Sequence, residues 1–218
     1  MIRGAKENSM PTLLHVDSSP MGEISISRKL TREYVERWQQ TNPDGRVLSR
    51  DLVAIPISPV DAEWIAANYT PRESRTKRQN EVLTISTTLA GEILEADEYV
   101  IGVPMHNWGP SSYFKLWTDQ LVLFGETVRY TPSGLAGALE DKKAVFIVTA
   151  GRNFSLNSTN ASRNHLIPWI QTFFGNLGVR NIQFIFIDGT ADVRNKRINM
   201  DTFLTPHIEA IRNNFSKR

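Results

Sequence analysis

No cysteine occurs in the 218 residues. That excludes disulfides, thiolate nucleophiles and Cys-ligated zinc or iron–sulfur centres. Charge of one sign is scarce as well: 25 Lys and Arg against 23 Asp and Glu leave +2, too little to argue for nucleic acid. The Lys/Arg-rich stretch at residues 72–78 is broken by Glu73, Ser74 and Thr76 and reads as a solvated face. No apolar run approaches the roughly 20 residues that would span a bilayer, and no apolar segment follows a basic start as in a signal peptide. The chain has no G-x-G-x-x-G, no Walker lysine and no G-x-S-x-G elbow, which sets aside a dinucleotide fingerprint, a P-loop and an α/β-hydrolase. His15, His106, His165 and His207 never pair at ligand spacing, so no metal site is expected. The expectation is a flexible leader over residues 1–11 and one cytoplasmic domain over residues 12–218, with no nucleic-acid or membrane partner.

What is present is an alternation of short apolar runs with helical periodicities. Residues 12–16, 47–52, 98–103, 143–149 and 182–187 read as strands, and the charges of the second suggest a place near a sheet edge. Helices are expected over residues 25–40 (stripe Ile26, Leu30, Tyr34, Trp38), 79–96 (Val82, Ile85, Leu89, Ile93) and 112–124. Two more are expected over residues 161–177 (Leu166, Ile170, Phe173, Leu177) and 192–215 (Leu204, Ile208, Ile211, Phe215). Residues 54–70, interrupted by prolines, read as irregular with a weak helical signal near 61–68, and as a candidate lid. The helix at 112–124 is apolar on more than one face (Tyr113, Phe114, Leu116, Trp117, Leu121, Leu123, Phe124). Such a helix must be buried on several sides, which suggests a partner subunit. The alternation argues for a doubly wound α/β sandwich with a five-stranded parallel sheet.

Ligands of open parallel sheets bind outside the carboxyl ends of the strands. Here the first, third and fourth strands should end beside one crevice. After the first come Ser18, Ser19, Ser25 and Ser27 with a helix N-terminus. Hydroxyls, free amides and the positive dipole end suit a phosphate monoester without a lysine, although Ser25 equally reads as a plain N-cap. After the third, Pro104 is expected to stop the strand, leaving Met105, His106, Asn107 and Trp108 as a turn. Asn107 offers donor and acceptor to a pyrimidine edge, and Met105 and Trp108 can pack on a flat ring. A flavin is the expected ligand; the plain alternative is a core-capping turn with a surface histidine. After the fourth, Thr149, Ala150, Gly151 and Arg152 combine close backbone approach at Gly151 with a positive charge near a reduced ring. The plain alternative there is a loop with a surface arginine.

Individually weak landmarks fall in a specific order: Asp17-Ser-Ser19, Ser25-x-Ser27, Arg50-Asp-Leu52 with Pro56, Pro104-Met-x-Asn107-Trp108 and Phe114-Lys115. Asp119, Arg129-Tyr-Thr131 with Gly134, Lys142-Lys-Ala144 and Pro168-Trp-x-x-x-Phe173-x-Gly175-x-x-Gly178 follow. In this set the chain resembles the flavodoxin-fold family of FMN-dependent NADH:quinone oxidoreductases, also called FMN-dependent azoreductases. The resemblance implies a flavodoxin-like sheet of order 2-1-3-4-5. It also implies non-covalent FMN held by Ser19, Ser25, Ile26, Ser27, Met105, His106, Asn107, Trp108, Thr149, Ala150, Gly151 and Arg152. NADH or NADPH would be the co-substrate and a quinone or azo compound the acceptor. A homodimer is implied, with flavin sites at the subunit interface and Tyr130 lining the partner's substrate pocket. The family usually has Tyr at position 106, Phe at 108, a Ser-Arg-Gly-Gly run at 149–152 and an aromatic where Asn176 stands.

The expected mechanism is ping-pong hydride transfer through the flavin. The cofactor supplies the chemistry, and the protein supplies orientation and electrostatics. His106 and Tyr130 are the candidate catalytic side chains, His106 as a proton donor or hydrogen-bond partner, and Arg152 would favour the anionic hydroquinone. Two other classes stay open at this point. One is a flavodoxin-like electron carrier, against which the basic balance of the chain argues. The other is a homologue that has lost FMN.

Overall fold

The computed structural model describes residues 10–132, 134–154 and 157–215. In chain order the elements are β1 (Thr12–Asp17), α1 (Ile26–Thr41), β2 (Arg46–Asp51), α2 (Ala62–Tyr69), α3 (Lys77–Val82) and α4 (Thr84–Glu95). Then come β3 (Glu98–His106), β4 (Gly109–Pro110), α5 (Ser112–Leu121), β5 (Val128–Thr131) and β6 (Gly134–Gly137). The chain closes with β7 (Lys143–Thr149), α6 (Leu166–Asn176), β8 (Asn181–Ile187), α7 (Thr190–Arg194) and α8 (Met200–Phe215). Five parallel strands pair in the order β2-β1-β3-β7-β8, and β4 adds an antiparallel hook to β3. This is the expected doubly wound sheet, with the charged β2 at an edge as its composition suggested.

The period of two along each strand divides the core. Leu14, Val16, Tyr99, Ile101, Val103, Phe146 and Val148 face α4, α5 and α6, where Leu89, Ile93, Phe114, Trp117, Ile170 and Phe174 meet them. Leu13, Val100, Val145, Ile147 and Ile187 face α1 and α8 through Leu30, Tyr34, Trp38, Leu204 and Ile211. The inward aromatic of α6 is Phe174, not Phe173, which stacks on Trp169 with ring centroids 5.3 Å apart.

Pro104 does not end β3, which runs to His106. The reason is local. The Gly102 carbonyl accepts from the Ser18 amide at 3.3 Å, so Gly102 faces β1, and by alternation residue 104 faces the same side. β1 pairs with β3 only as far as Asp17 opposite Gly102. A proline nitrogen at 104 therefore removes no ladder donor.

Two expected helices are broken. Residues 77–95 divide at Leu83 (φ −85°, ψ 2°), which buries beside Trp64 and Ala67 of α2. Residues 190–215 divide at Lys196, whose φ is +57°, and the Asn199 side chain then accepts the Asp201 amide at 2.8 Å to start α8. The helix expected to run to residue 124 stops at Leu121, where the Thr127 hydroxyl donates to the last carbonyl. The β5–β6 hairpin, short and largely exposed, was not expected from the sequence. The weak helical signal near residues 61–68 corresponds to α2, capped by Asp61 accepting the Trp64 amide at 2.8 Å.

Burial on several sides of α5 is met within one chain: Phe114 and Trp117 pack on Phe174, and Gln120 binds Ser86 and the Ser58 carbonyl. Its composition thus does not by itself require a second subunit. The basic stretch is not wholly solvated either, since the Arg75 side chain is only 3% exposed and reaches Glu126. Of the expected leader, residues 1–9 lie outside the described residues, and the Pro11 carbonyl accepts the Arg46 amide at 2.9 Å.

Candidate active site

The crevice forms where β1, β3 and β7 end side by side. Ser18, Ser19, Ser25 and Ser27 are all buried at the first of these ends. Ser18 is structural: its hydroxyl donates to the Gly102 carbonyl at 2.7 Å. Ser25 caps α1 by accepting the Arg28 amide at 3.4 Å, and its oxygen lies 3.1 Å from that of Ser27. The amides of Ile26 and Ser27 sit in the first turn, where no helical carbonyl precedes them. Gly102 lets this turn lie against the sheet, because a Cβ there would come within 3.0 Å of Asp17 Oδ1 and 3.1 Å of Thr31 Cγ2.

Behind the serines sits a group that sequence reasoning missed. Arg28 donates twice to the Ser19 carbonyl (3.0 and 2.8 Å) and in a fork to Asp51 (2.8 and 2.7 Å). Its Nη1 also lies 3.7 Å from Asp17. The bond to Asp51 raises the Arg28 pKa above its ordinary value, and the same bond holds the Asp51 carboxyl below the usual range. Arg28 thereby fixes the loop that carries Ser19. The signal available was a cation one turn into the helix, directly after the serine pair.

The second strand end is a tight hairpin. Met105 pairs with Pro110 and His106 with Gly109, leaving Asn107 (φ +47°) and Trp108 (φ +68°) as a left-handed corner. Two-residue hairpins of this hand favour Asn-Gly. A tryptophan in the glycine place costs backbone energy, of order 1–2 kcal/mol, and such strain concentrates at functional positions. Trp108 is 49% exposed, and its backbone carbonyl accepts the His165 amide at 3.1 Å.

The third end is pinned from β8. The Ala150 amide donates to the Ile187 carbonyl at 2.8 Å, and the Ala150 carbonyl accepts from the Thr190 amide at 3.1 Å. The Phe154 amide donates to Asp188 at 2.9 Å, tying this loop to the end of β8 as well. Between the second and third ends lies a cleft of about 320 Å³ lined by Met105, Asn107, Trp108, Gly151, Arg152, Phe154, Ala191 and Arg194. Phe154 and Arg194 were not foreseen. Nothing in the sequence around Arg194 marks it, because only the turn after β8 brings α7 back to the crevice.

His106 is exposed beside this cleft on the hairpin. Tyr130 is not brought to it. It is 68% exposed on β5, stacked on Phe124 at 4.8 Å, and lines a separate cleft with Tyr69 and Phe124. The two candidate catalytic side chains therefore do not meet within one chain. Among the described residues no group of three His, Cys, Asp or Glu is placed to hold a metal ion, and no helix is long and apolar enough to cross a membrane.

Parallel strands ordered around β1 and β3, with a serine-lined helix start and an aromatic corner at their ends, define a flavodoxin-like α/β protein. The family model described as flavodoxin-like fold matches residues 11–203. FMN-dependent NADH:quinone oxidoreductase 3 of Burkholderia lata is 53% identical over 200 residues, covering 92% of this chain and 97% of that protein. An FMN-dependent NADH:quinone oxidoreductase of Acidobacterium capsulatum is 42% identical, covering 93% of this chain and 98% of its own length. A crystal structure of an FMN-dependent NADH-azoreductase from Bacillus anthracis in complex with FMN superposes with a TM-score of 0.81 at 19% identity, covering 95% of this chain and 99% of the other. The chain belongs to the flavodoxin-like family of FMN-dependent NADH:quinone oxidoreductases.

Proposed function

We propose that this protein is an FMN-dependent oxidoreductase that takes hydride from NADH or NADPH and reduces quinones and, by the same two-electron chemistry, azo compounds. The observation that carries this reading is the pairing of two half-sites on neighbouring strand ends. One is a buried set of hydroxyls at a helix start that fits a phosphate. The other is a cleft walled by Trp108 and Phe154 that fits a flat ring. The relatives named as oxidoreductases favour turnover over a carrier role.

When bound, FMN would supply a ring that accepts hydride from the nicotinamide and passes it to the acceptor. The chain's own residues bind and orient. Ser19, Ser25 and Ser27, with the amides of Ile26 and Ser27, hold the phosphate at the positive end of α1. Met105, Asn107 and Trp108 address one part of the ring, and Thr149, Ala150, Gly151 and Arg152 another. His106, exposed on the hairpin, would donate a proton to a reduced acceptor. Confining both reactants to one ring face makes the transfer effectively unimolecular and the kinetics ping-pong.

The same proposal includes a cytoplasmic homodimer built from residues 12–218 as one domain. Exposed Tyr69, Tyr130 and Leu135 support it, as an apolar surface near a cleft that a second copy would complete. The test is the visible spectrum of the purified protein followed by titration with NADH. Yellow protein that bleaches with NADH and recovers on adding menadione is expected. Protein that stays colourless in excess FMN refutes the reading.

A further inference from the structure

The cleft beside Trp108 carries two guanidinium groups on separate elements, Arg152 after β7 and Arg194 on α7. Among the described residues neither forms an ion pair. The acidic residues nearest Arg194 in sequence make other contacts. Asp188 accepts the Phe154 amide at 2.9 Å, and Asp192 is held 3.2 Å from Arg197. Among the described residues no acidic side chain lines the cleft. Two exposed guanidinium groups without ion-pair partners, beside an aromatic wall, favour a ligand that combines a flat ring with an anionic oxygen group. Guanidinium matches carboxylate, sulfonate and phosphate geometry through paired N–H donors.

We propose that Arg152 and Arg194 form an anion subsite at this cleft, which selects reactants bearing a sulfonate, carboxylate or phosphate beside the ring that stacks on the flavin. The subsite deepens the oxidoreductase reading and rests on it. Its anion can come from the acceptor, as in a sulfonated quinone or azo arene, or from the extra phosphate of NADPH. Arg194 is not among the side chains proposed to hold the flavin but lines the same cleft, so FMN affinity of each Arg194 variant is measured beside reactant binding.

The test is equilibrium binding to the oxidised, FMN-loaded protein without turnover, for wild type, Arg194→Gln and Arg194→Lys. The probes are anthraquinone-2-sulfonate against neutral 2-(hydroxymethyl)anthraquinone, and NADP⁺ against NAD⁺. In the glutamine variant, affinity for the sulfonate is expected to fall roughly tenfold, the scale of one charge-assisted contact, while the neutral quinone changes less than twofold. The lysine variant is expected to regain most of the loss. A selective loss for NADP⁺ instead assigns the subsite to the nicotinamide phosphate and also supports the proposal. Equal losses for charged and neutral probes, or no loss for any, overturn it. If the protein takes up no FMN, the oxidoreductase reading fails, and the same titrations on the bare protein still decide whether the arginine pair binds anions.

Discussion

The Trp108 carbonyl accepts the His165 amide at 3.1 Å, which latches the left-handed corner after β3 to the start of α6. The corner is therefore held from outside, and Trp108 keeps a backbone conformation that its side chain disfavours. Trp108→Gly should relieve that conformation. Glycine adopts positive φ freely, so folding stability is expected to hold or rise by about 1 kcal/mol. Loss of the aromatic wall should weaken flavin retention several-fold. Urea denaturation and FMN titration together check both signs; a large loss of stability would show that the ring, not the hand of the turn, matters to the fold.

Ser27→Ala removes one of two buried hydroxyls 3.1 Å apart while leaving the Ser25 cap in place. FMN affinity should fall about tenfold, in line with loss of a hydrogen bond to a charged group. Riboflavin, which lacks the phosphate, should bind both proteins equally. Fluorescence titration with the two flavins checks this, and an equal loss for both would move the phosphate elsewhere.

Arg28→Met leaves Asp51 without its fork and Ser19 without its two donors. The pair is partly exposed, so the loss at neutral pH should be about 2 kcal/mol rather than that of a fully buried ion pair. The bond to Arg28 lowers the Asp51 pKa in the folded state. Its contribution is therefore fully present above the ordinary value of 3.8 and fades as pH falls through the lower folded value. Denaturation curves of the two proteins should lie furthest apart at neutral pH and draw together only below pH 3.8, as Asp51 takes up its proton. A gap that stays constant with pH would remove Asp51 from the account.

Arg152→Gly should lower the midpoint potential of the bound flavin, since a cation near the ring stabilises the anionic reduced form. A shift of about 30 mV corresponds to about 1.4 kcal/mol for a two-electron couple. Spectroelectrochemistry checks it, and an unchanged potential would deny Arg152 that role.

The layers were legible because the strand runs at residues 98–103 and 143–149 are apolar on both faces, which only a sheet covered twice can satisfy. The helix start at Ser25 was legible from its hydroxyl and the stripe that follows. Features set by neighbours were not. Pro104 sits inside β3 because β1 has already ended on its open side, a fact of register rather than of residue 104. Leu83 breaks a periodic helix because the space under α2 draws it inward. Arg28, Phe154 and Arg194 belong to the crevice through long-range folding, and no local spacing announces them. The separation of Tyr130 from His106 within one chain was implied by the family resemblance, which gave Tyr130 to the partner's pocket, and not by any periodicity.

Gly102 and Met105 occupy one strand, three positions apart. At about 3.3 Å per residue, the span from the helix-start anchor to the ring wall is about 10 Å, laid down by covalent bonds in the middle strand of the sheet. That length cannot drift when the surrounding loops change. Residues 149–152 and the stretch reaching Arg194 are thus free to acquire new charges or shapes, and with them new reactants, while the tail of the ligand stays moored at the same distance.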